Sequence, residues 1–166
     1  MHKLTNKLLA VKSVNTSYIK EKDAFNKLTS EINLLSAIRH PNIVKLYEVL
    51  KPNSSDPPLD YYLMFMELCT GGDLLHFVRK RRKVPEKLAK QFMKQIISAL
   101  GYLHHQNIAH RDIKLENILL DNLGQIKLCD LGISLALPKP PKEQMMFDSC
   151  GTPAYMAPEV IRLGHQ

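Results

Sequence analysis

The chain has little cysteine and no long apolar run, and both absences narrow what it can be. Its three cysteines, Cys69, Cys129 and Cys150, are odd in number and show no metal-ligand spacing. A disulfide framework is disfavoured, and a reducing compartment is the expectation: the cytoplasm, with the nucleus as the alternative. No apolar stretch approaches the ~20 residues that a membrane-spanning helix needs. Met1 to Lys7 lack the apolar core of a signal peptide. Internal repeats and long low-complexity tracts are also missing. Acidic residues are in deficit: 23 Lys and Arg stand against 16 Asp and Glu, a net charge of +7. Such a balance attracts nucleic acid, phospholipid or phosphorylated ligands. The densest basic run is Arg79-Lys80-Arg81-Arg82-Lys83, and no aromatic residue interleaves it, which argues against a stacking surface for nucleic acid. Its simplest reading is a solvated helix end.

What is present is ordinary for a globular domain. The 166 residues are 45% hydrophobic and 23% charged, enough to build one real core. Lys7 to Val14 alternates, with Leu8, Ala10 and Lys12 on one face, and predicts a strand. Phe25, Leu28, Ile32 and Leu35 recur at helical spacing between Asp23 and Arg39, and His40-Pro41-Asn42 ends that helix. Ile43 to Leu50 and Tyr61 to Leu68 read as strands joined by turn material at residues 51–58. Gly71-Gly72 breaks the pattern, and Asp73 is placed to cap a short helix through Arg79. Pro85 suits a first helical turn, and Leu88, Phe92, Ile96, Leu100 and Leu103 line one face of a long helix to His105. Ile118-Leu119-Leu120 and Gln125 to Leu128 flank a turn at Asp121 to Gly124. Strands and one helix come first and helices dominate afterwards, so the expected class is α+β in two lobes.

The chemistry-bearing residues lie in that second half. His110-Arg111-Asp112-Ile113-Lys114-Leu115-Glu116-Asn117 is followed by Asp130-Leu131-Gly132 and then by Ala157-Pro158-Glu159. Asp112 is a candidate base or acceptor-orienting carboxylate, and Lys114 a candidate counter-charge for a moving phosphoryl group. Asn117 and Asp130 offer hard oxygens of the kind that magnesium prefers when it shares its shell with phosphate and water. Each motif alone is only a polar loop or a turn; three in this order fit H-R-D-x-x-x-x-N, D-F-G and A-P-E.

On these motifs the chain resembles a eukaryotic serine/threonine protein kinase from Lys12 to Glu159. Asp112-x-Lys114 and Gly151-Thr152-Pro153 resemble the serine/threonine branch. His40 to Leu46 and Ser149 to Glu159 look most like the calmodulin-dependent and AMP-activated group. The resemblance implies a partial bilobal kinase fold: a small sheet lobe with one helix (residues 1–66), a hinge (67–69) and a mainly helical lobe (70–166). It implies transfer of the ATP γ-phosphate to serine or threonine hydroxyls of protein substrates, with Mg2+. Lys12 would hold the α- and β-phosphates, paired with Glu31 (Glu21 is the rival). Met66 would be the gatekeeper, and Glu67 to Cys69 would meet adenine, sandwiched by Ala10 and Leu119. Asp73 would reach the ribose or a basic substrate residue, with helix capping as the equal alternative. Thr152 would hydrogen-bond near Asp112 and Lys114. Leu35, Leu46, His110 and Leu131 would stack as an internal spine. A regulatory subunit or an upstream kinase is the further partner it implies.

Three departures from the pattern carry expectations of their own. No G-x-G-x-x-G precedes Lys12, and the chain stops soon after Glu159, so it reads as a piece truncated at both ends. The alternative function is accordingly a pseudokinase-like regulatory fragment with little catalysis. Leucine replaces phenylalanine in Asp130-Leu131-Gly132, a mild change that keeps the carboxylate and the apolar spine. Asp148 stands where relatives carry a phosphorylated threonine. It would pair weakly with Arg111, and Ser149 is the alternative phosphorylation site.

Overall fold

The computed structural model describes residues 8–15, 22–51, 61–137 and 150–163. The first strand, β1 (Leu9–Asn15), is followed by α1 (Lys22–Ala37), β2 (Leu46–Leu50) and β3 (Tyr61–Glu67). They form an antiparallel sheet of order β1-β3-β2. The register sets Lys12 opposite Met64 and Ala10 opposite Met66. Among the described residues β1 is an edge strand, with Leu8 and Val11 more than half exposed. Helix α1 presents Leu28, Ile32 and Leu35, one residue per turn, and all three are buried.

The second lobe begins, after the segment 67–69 expected to act as a hinge, with α2 (Leu74–Arg81) and the long α3 (Glu86–His105). Phe92, Ile96 and Leu103 of α3 are buried, as the spacing predicts, whereas Leu88 and Leu100 of the same expected face are half-buried and Ala99 is buried beside them. Short strands β4 (Ile108–Ala109), β5 (Ile118–Leu120), β6 (Ile126–Leu128) and β7 (Leu135–Ala136) pair as β4-β7 and β5-β6. A single 3-10 turn (Leu115–Asn117) leads into β5, another (Pro153–Tyr155) precedes α4 (Pro158–Leu163). One apolar core runs through both lobes, from Leu28 and Met64 to Leu103, Ile126 and Leu131.

Where the expected boundaries fail, the reason is visible. The strand expected from Ile43 starts only at Leu46. Residues 42–44 bond to β6 instead of continuing the first sheet: Val44 N–H donates to Leu128 O (2.9 Å) and Leu128 N–H to Asn42 O (2.8 Å). The helix expected to reach Arg39 stops at Ala37, and the Arg39 amide is taken by the Tyr102 hydroxyl of α3 (3.1 Å). Helix α2 runs two residues past the expected Arg79. The Asn42 side chain adds a further stitch, donating to Ile126 O at 3.0 Å. The α1–β2 connection is thus clamped onto the second lobe, and this clamp fixes how the two lobes face each other.

Gly71 shows how closely the chain after the hinge approaches β5. Its N–H donates to Leu120 O at 2.8 Å, and a Cβ there would lie 2.7 Å from Leu120 Cβ. Gly101, inside α3, has open space around it. The two glycines should therefore respond oppositely to alanine. Gly101→Ala should stabilise by ~0.5–1 kcal/mol through helix propensity, whereas Gly71→Ala should destabilise by ~1–3 kcal/mol through overpacking. Denaturant midpoints of the two variants test this, and a shift of the same sign in both contradicts it.

Candidate functional site

The segment from Ala109 to Leu120 passes from β4 through an irregular loop and a 3-10 turn to β5. Three of its side chains are tied together with Thr152. The Asp112 carboxylate accepts from Asn117 Nδ2 (2.9 Å, Oδ2) and from the Thr152 hydroxyl (2.8 Å, Oδ1), and pairs with Lys114 Nζ at 2.8 Å. Lys114 Nζ also donates to Thr152 Oγ1 at 2.8 Å. Asn117 Nδ2 reaches the Asp112 backbone oxygen as well, at 2.9 Å. The residues expected from the sequence to act together are held within hydrogen-bonding distance, although Thr152 lies 40 positions from Asp112.

Gly151 makes this approach feasible. A Cβ there would sit 2.8 Å from Arg111 O, and its φ of +114° suits glycine alone. Burial pushes the Asp112 carboxyl up, but hydrogen bonds from Lys114, Thr152 and Asn117 more than offset this and hold it below the ordinary 3.8. The Asp112 carboxylate in turn raises Lys114. A carboxylate held this low is a weak base near neutral pH. It is suited to orient a hydroxyl and to take its proton late.

His110 is 2% exposed, and its tautomer follows from its partners. Nδ1 accepts from the Asp112 N–H (3.3 Å), so Nε2 carries the proton and donates to Cys129 O at 3.1 Å. Burial lowers its pKa below 6.5, and the Cys129 bond with the nearby Asp130 and Asp112 charges only partly opposes this. His110 therefore links the Asp112 loop to the backbone just before Asp130.

A second ionic element enters from the first lobe. Lys12 of β1 and Glu31 of α1 pair at 2.6 Å, with Glu31 buried; the rival Glu21 lies outside the described residues. Gly132 shows where this pair sits: a Cβ on it would lie 3.1 Å from Asp130 Oδ1 and 3.7 Å from Glu31 Oε2. The Lys12–Glu31 pair and the Asp130 carboxylate thus converge on one glycine. Asp130 itself is exposed and has φ of +62°, a left-handed conformation that is uncommon away from functional turns. Leu35, Leu46, His110 and Leu131 are all at most 3% exposed.

The donor set can be compared with what magnesium requires. Among the described residues no cluster of three or more His, Cys, Asp and Glu could hold a metal unaided. Asp130 and Asn117 supply one carboxylate and one amide oxygen, because Asn117 spends its amide nitrogen on Asp112. The backbone joins them, Cys129 N–H donating to Asn117 O at 3.0 Å. Two hard oxygens fit an ion that completes its shell with phosphate and water.

The hinge differs from the expectation in detail. Glu67 ends β3, one residue before the predicted Leu68. Its N–H is taken by Lys45 O (2.8 Å), and its carboxylate pairs with Lys127 of β6 at 2.6 Å. Lys127 was not singled out from the sequence, although the alternation of Ile126, Lys127 and Leu128 puts it on the face opposite two buried residues. Met66 lies opposite both Ala10 and Leu46. Leu119 bridges to Asp73, so β5 meets the chain that leaves the hinge. Asp73 caps α2, accepting from His76 N–H at 2.7 Å through Oδ1. Of its two expected roles, the capping one is the contact observed. Cys69 is pushed up to about 11 by burial and the Glu67 charge, and Cys129 to about 12 by burial and Asp130. Both thiols stay protonated at neutral pH. Arg111 Nε donates to Ile133 O at 2.6 Å; Asp148 and Ser149 lie outside the described residues.

Comparison with known proteins identifies a family. The family model described as the protein kinase domain matches residues 1–166. CBL-interacting serine/threonine-protein kinase 7 of Arabidopsis thaliana is 39% identical over 95% of this chain and 35% of its own length. The hormonally up-regulated neu tumor-associated kinase of Homo sapiens is 37% identical over 97% of the chain and 22% of its own length. NUAK family SNF1-like kinase 2 of Rattus norvegicus is 36% identical over 95% and 24%. The chain thus spans about a third or less of the length of these relatives.

His110 gives this site a pH signature. Its folded pKa is lowered, so the fold binds fewer protons than the unfolded chain once pH drops below the unfolded value of 6.5. The stability it contributes is full above that value and is lost as pH falls toward the folded one. Asp112 acts in a separate window, losing its contribution as pH falls from 3.8 through its lowered value. NMR titration of the His110 ring should show Nε2–H and a midpoint below 6.5; a midpoint at or above 6.5 contradicts the assigned burial and tautomer.

Proposed function

Because the chain belongs to the protein kinase domain family, we propose that it carries the phosphoryl-transfer centre of a serine/threonine protein kinase acting from ATP onto protein hydroxyls. The observation that carries this reading is the shared network of Asp112, Lys114, Asn117 and Thr152, together with the Lys12–Glu31 pair that meets Asp130 at Gly132. Phosphoryl transfer leaves little covalent chemistry for the protein; it requires alignment and compensation of charge.

The roles then follow from position. Lys12, held by a buried carboxylate, is a fixed cation for the α- and β-phosphates of ATP. Asp130 and Asn117 would hold Mg2+, which when bound neutralises and orients the phosphate oxygens. Asp112 orients the acceptor hydroxyl and takes its proton, and Lys114 balances the charge of the phosphoryl in transit. Thr152 bonds to both, so it ties the segment before α4, on which a protein substrate would rest, to the catalytic carboxylate. The hinge at Glu67 to Cys69 would receive adenine, sandwiched between Ala10 and Leu119. The serine/threonine assignment rests on Lys114 and Thr152, and on the relative named above whose name states that activity.

Two substitutions separate binding from transfer. Asp130→Asn should weaken Mg·ATP binding while leaving the affinity for metal-free ATP nearly unchanged. Asp112→Asn should keep Mg·ATP binding within about twofold and lower transfer to a generic basic protein by at least ~10²-fold. Calorimetry with and without magnesium, and radiolabelled phosphate transfer, measure the two effects. Loss of nucleotide binding in Asp112→Asn, or equal transfer by this variant and the unchanged chain, contradicts the assignment.

A further inference from the structure

The whole net charge of the chain sits in one short stretch. Of 23 Lys and Arg and 16 Asp and Glu, residues 79–94 hold eight and one, so the rest of the chain has fifteen of each and is neutral. The eight cations are Arg79 through Lys83, Lys87, Lys90 and Lys94, at the end of α2 and along the first half of α3. All eight are exposed. Among the described residues only Lys90 has an acidic partner, Glu86 at 2.7 Å. Eight cations within two adjoining helix segments repel one another, and among the described residues one carboxylate pairs against them.

Beside these cations lies a hollow of about 570 Å³ between α2, α3 and the β5–β6 turn. Its apolar lining comes from Phe77, Leu88, Leu120 and Leu123, and its cationic lining from Arg81 and Lys94. Leu123 is 77% exposed, although it is a large apolar side chain in a turn. The Arg81 guanidinium is held 4.5 Å over the Phe77 ring, so this cation is already ordered at the rim. A second hollow, of about 450 Å³, runs on along α3 past Glu86, Lys87 and Lys90, Glu86 being paired with Lys90, and shares Gln91 and Lys94 with the first. The two form one track with an apolar end and a cationic length.

We propose that this track is a docking site for an acidic peptide segment of a partner protein, with an aliphatic anchor seated against Leu123 and Phe77 and carboxylates along Lys87, Lys90 and Lys94. Charge complementarity selects an acidic partner, and the concave apolar end selects a side chain over a bare polyanion. A nucleic acid fits less well. Arg81 lies over the Phe77 ring, and the other aromatic residue of the lining, Phe92, is buried, so the track offers no row of aromatic faces on which successive bases could stack. The track involves none of the residues assigned to phosphoryl transfer, so the proposal stands or falls independently of that reading.

The test uses the full chain at physiological ionic strength and three fluorescein-labelled probes: a glutamate-rich peptide carrying two leucines four positions apart, the same peptide with serines for leucines, and oligothymidylate. The leucine peptide should bind at least about tenfold more tightly than the serine peptide, since one buried leucine is worth that much. Leu123→Ser and Lys94→Glu should each weaken it by about tenfold. Arg162→Glu, an equal charge change on exposed α4, should alter it less than about twofold. Both track positions are exposed, and unchanged circular dichroism checks that each variant still folds. Equal binding of the two peptides, tighter binding of the oligonucleotide, an equal effect of Arg162→Glu, or no peptide binding overturns the proposal.

Discussion

A carboxylate that is nearly enclosed keeps its charge only if the fold supplies donors to it, and Asp112 depends on three. Lys114, Asn117 and Thr152 each bond to it. Burial alone would favour the neutral acid; the donors reverse that preference. Much of the surrounding backbone serves this arrangement. Arg111 adopts φ of +67°, Gly151 approaches Arg111 O closely, and His110 is fixed as the Nε2–H tautomer between Asp112 and Cys129. Loss of any one donor would therefore shift both the protonation and the direction of Asp112.

The opposing ionic pair follows the same logic from the other lobe. Glu31 is buried on α1 and Lys12 is its cation, 19 residues away on β1. Such a pair is weak evidence for stability, because desolvation offsets much of its attraction. Its use is geometric: it fixes a lysine ammonium near Asp130. The distance between the two charge clusters is set by the clamp of residues 42–44 on β6, together with the Glu67–Lys127 pair at the hinge. Helix α1, the sheet and the β5–β6 hairpin are thus joined by one set of bonds.

The sequence disclosed the long-range order better than the local boundaries. Periodicity placed α1 and α3, because Leu28, Ile32, Leu35, Phe92, Ile96 and Leu103 all face the core at helical spacing. The D-x-K-x-x-N spacing and Gly151-Thr152 foretold a convergence that no propensity could. Strands β4 and β7, two residues each, are too short to produce a period, and the 3-10 turns leave no apolar pattern. Ile43 and Val44 look like strand residues, yet they bond across to β6, a tertiary choice invisible locally. A lysine within a short strand ordinarily points to solvent, but Lys127 meets a half-buried glutamate. Asp73 could be read from the sequence as a cap or as a ligand, and the geometry shows the cap.

The account rests on Lys12, Asn117 and Asp130 facing one nucleotide. The direct measurement is paramagnetic broadening of backbone amide signals by Mn2+ bound with a non-hydrolysable ATP analogue. The account predicts that Lys12, Asn117, Asp130 and Gly132 broaden together at a metal level that leaves Arg79 to Lys94 sharp. Broadening confined to only one of the two lobes, or centred on the basic helices, would contradict it.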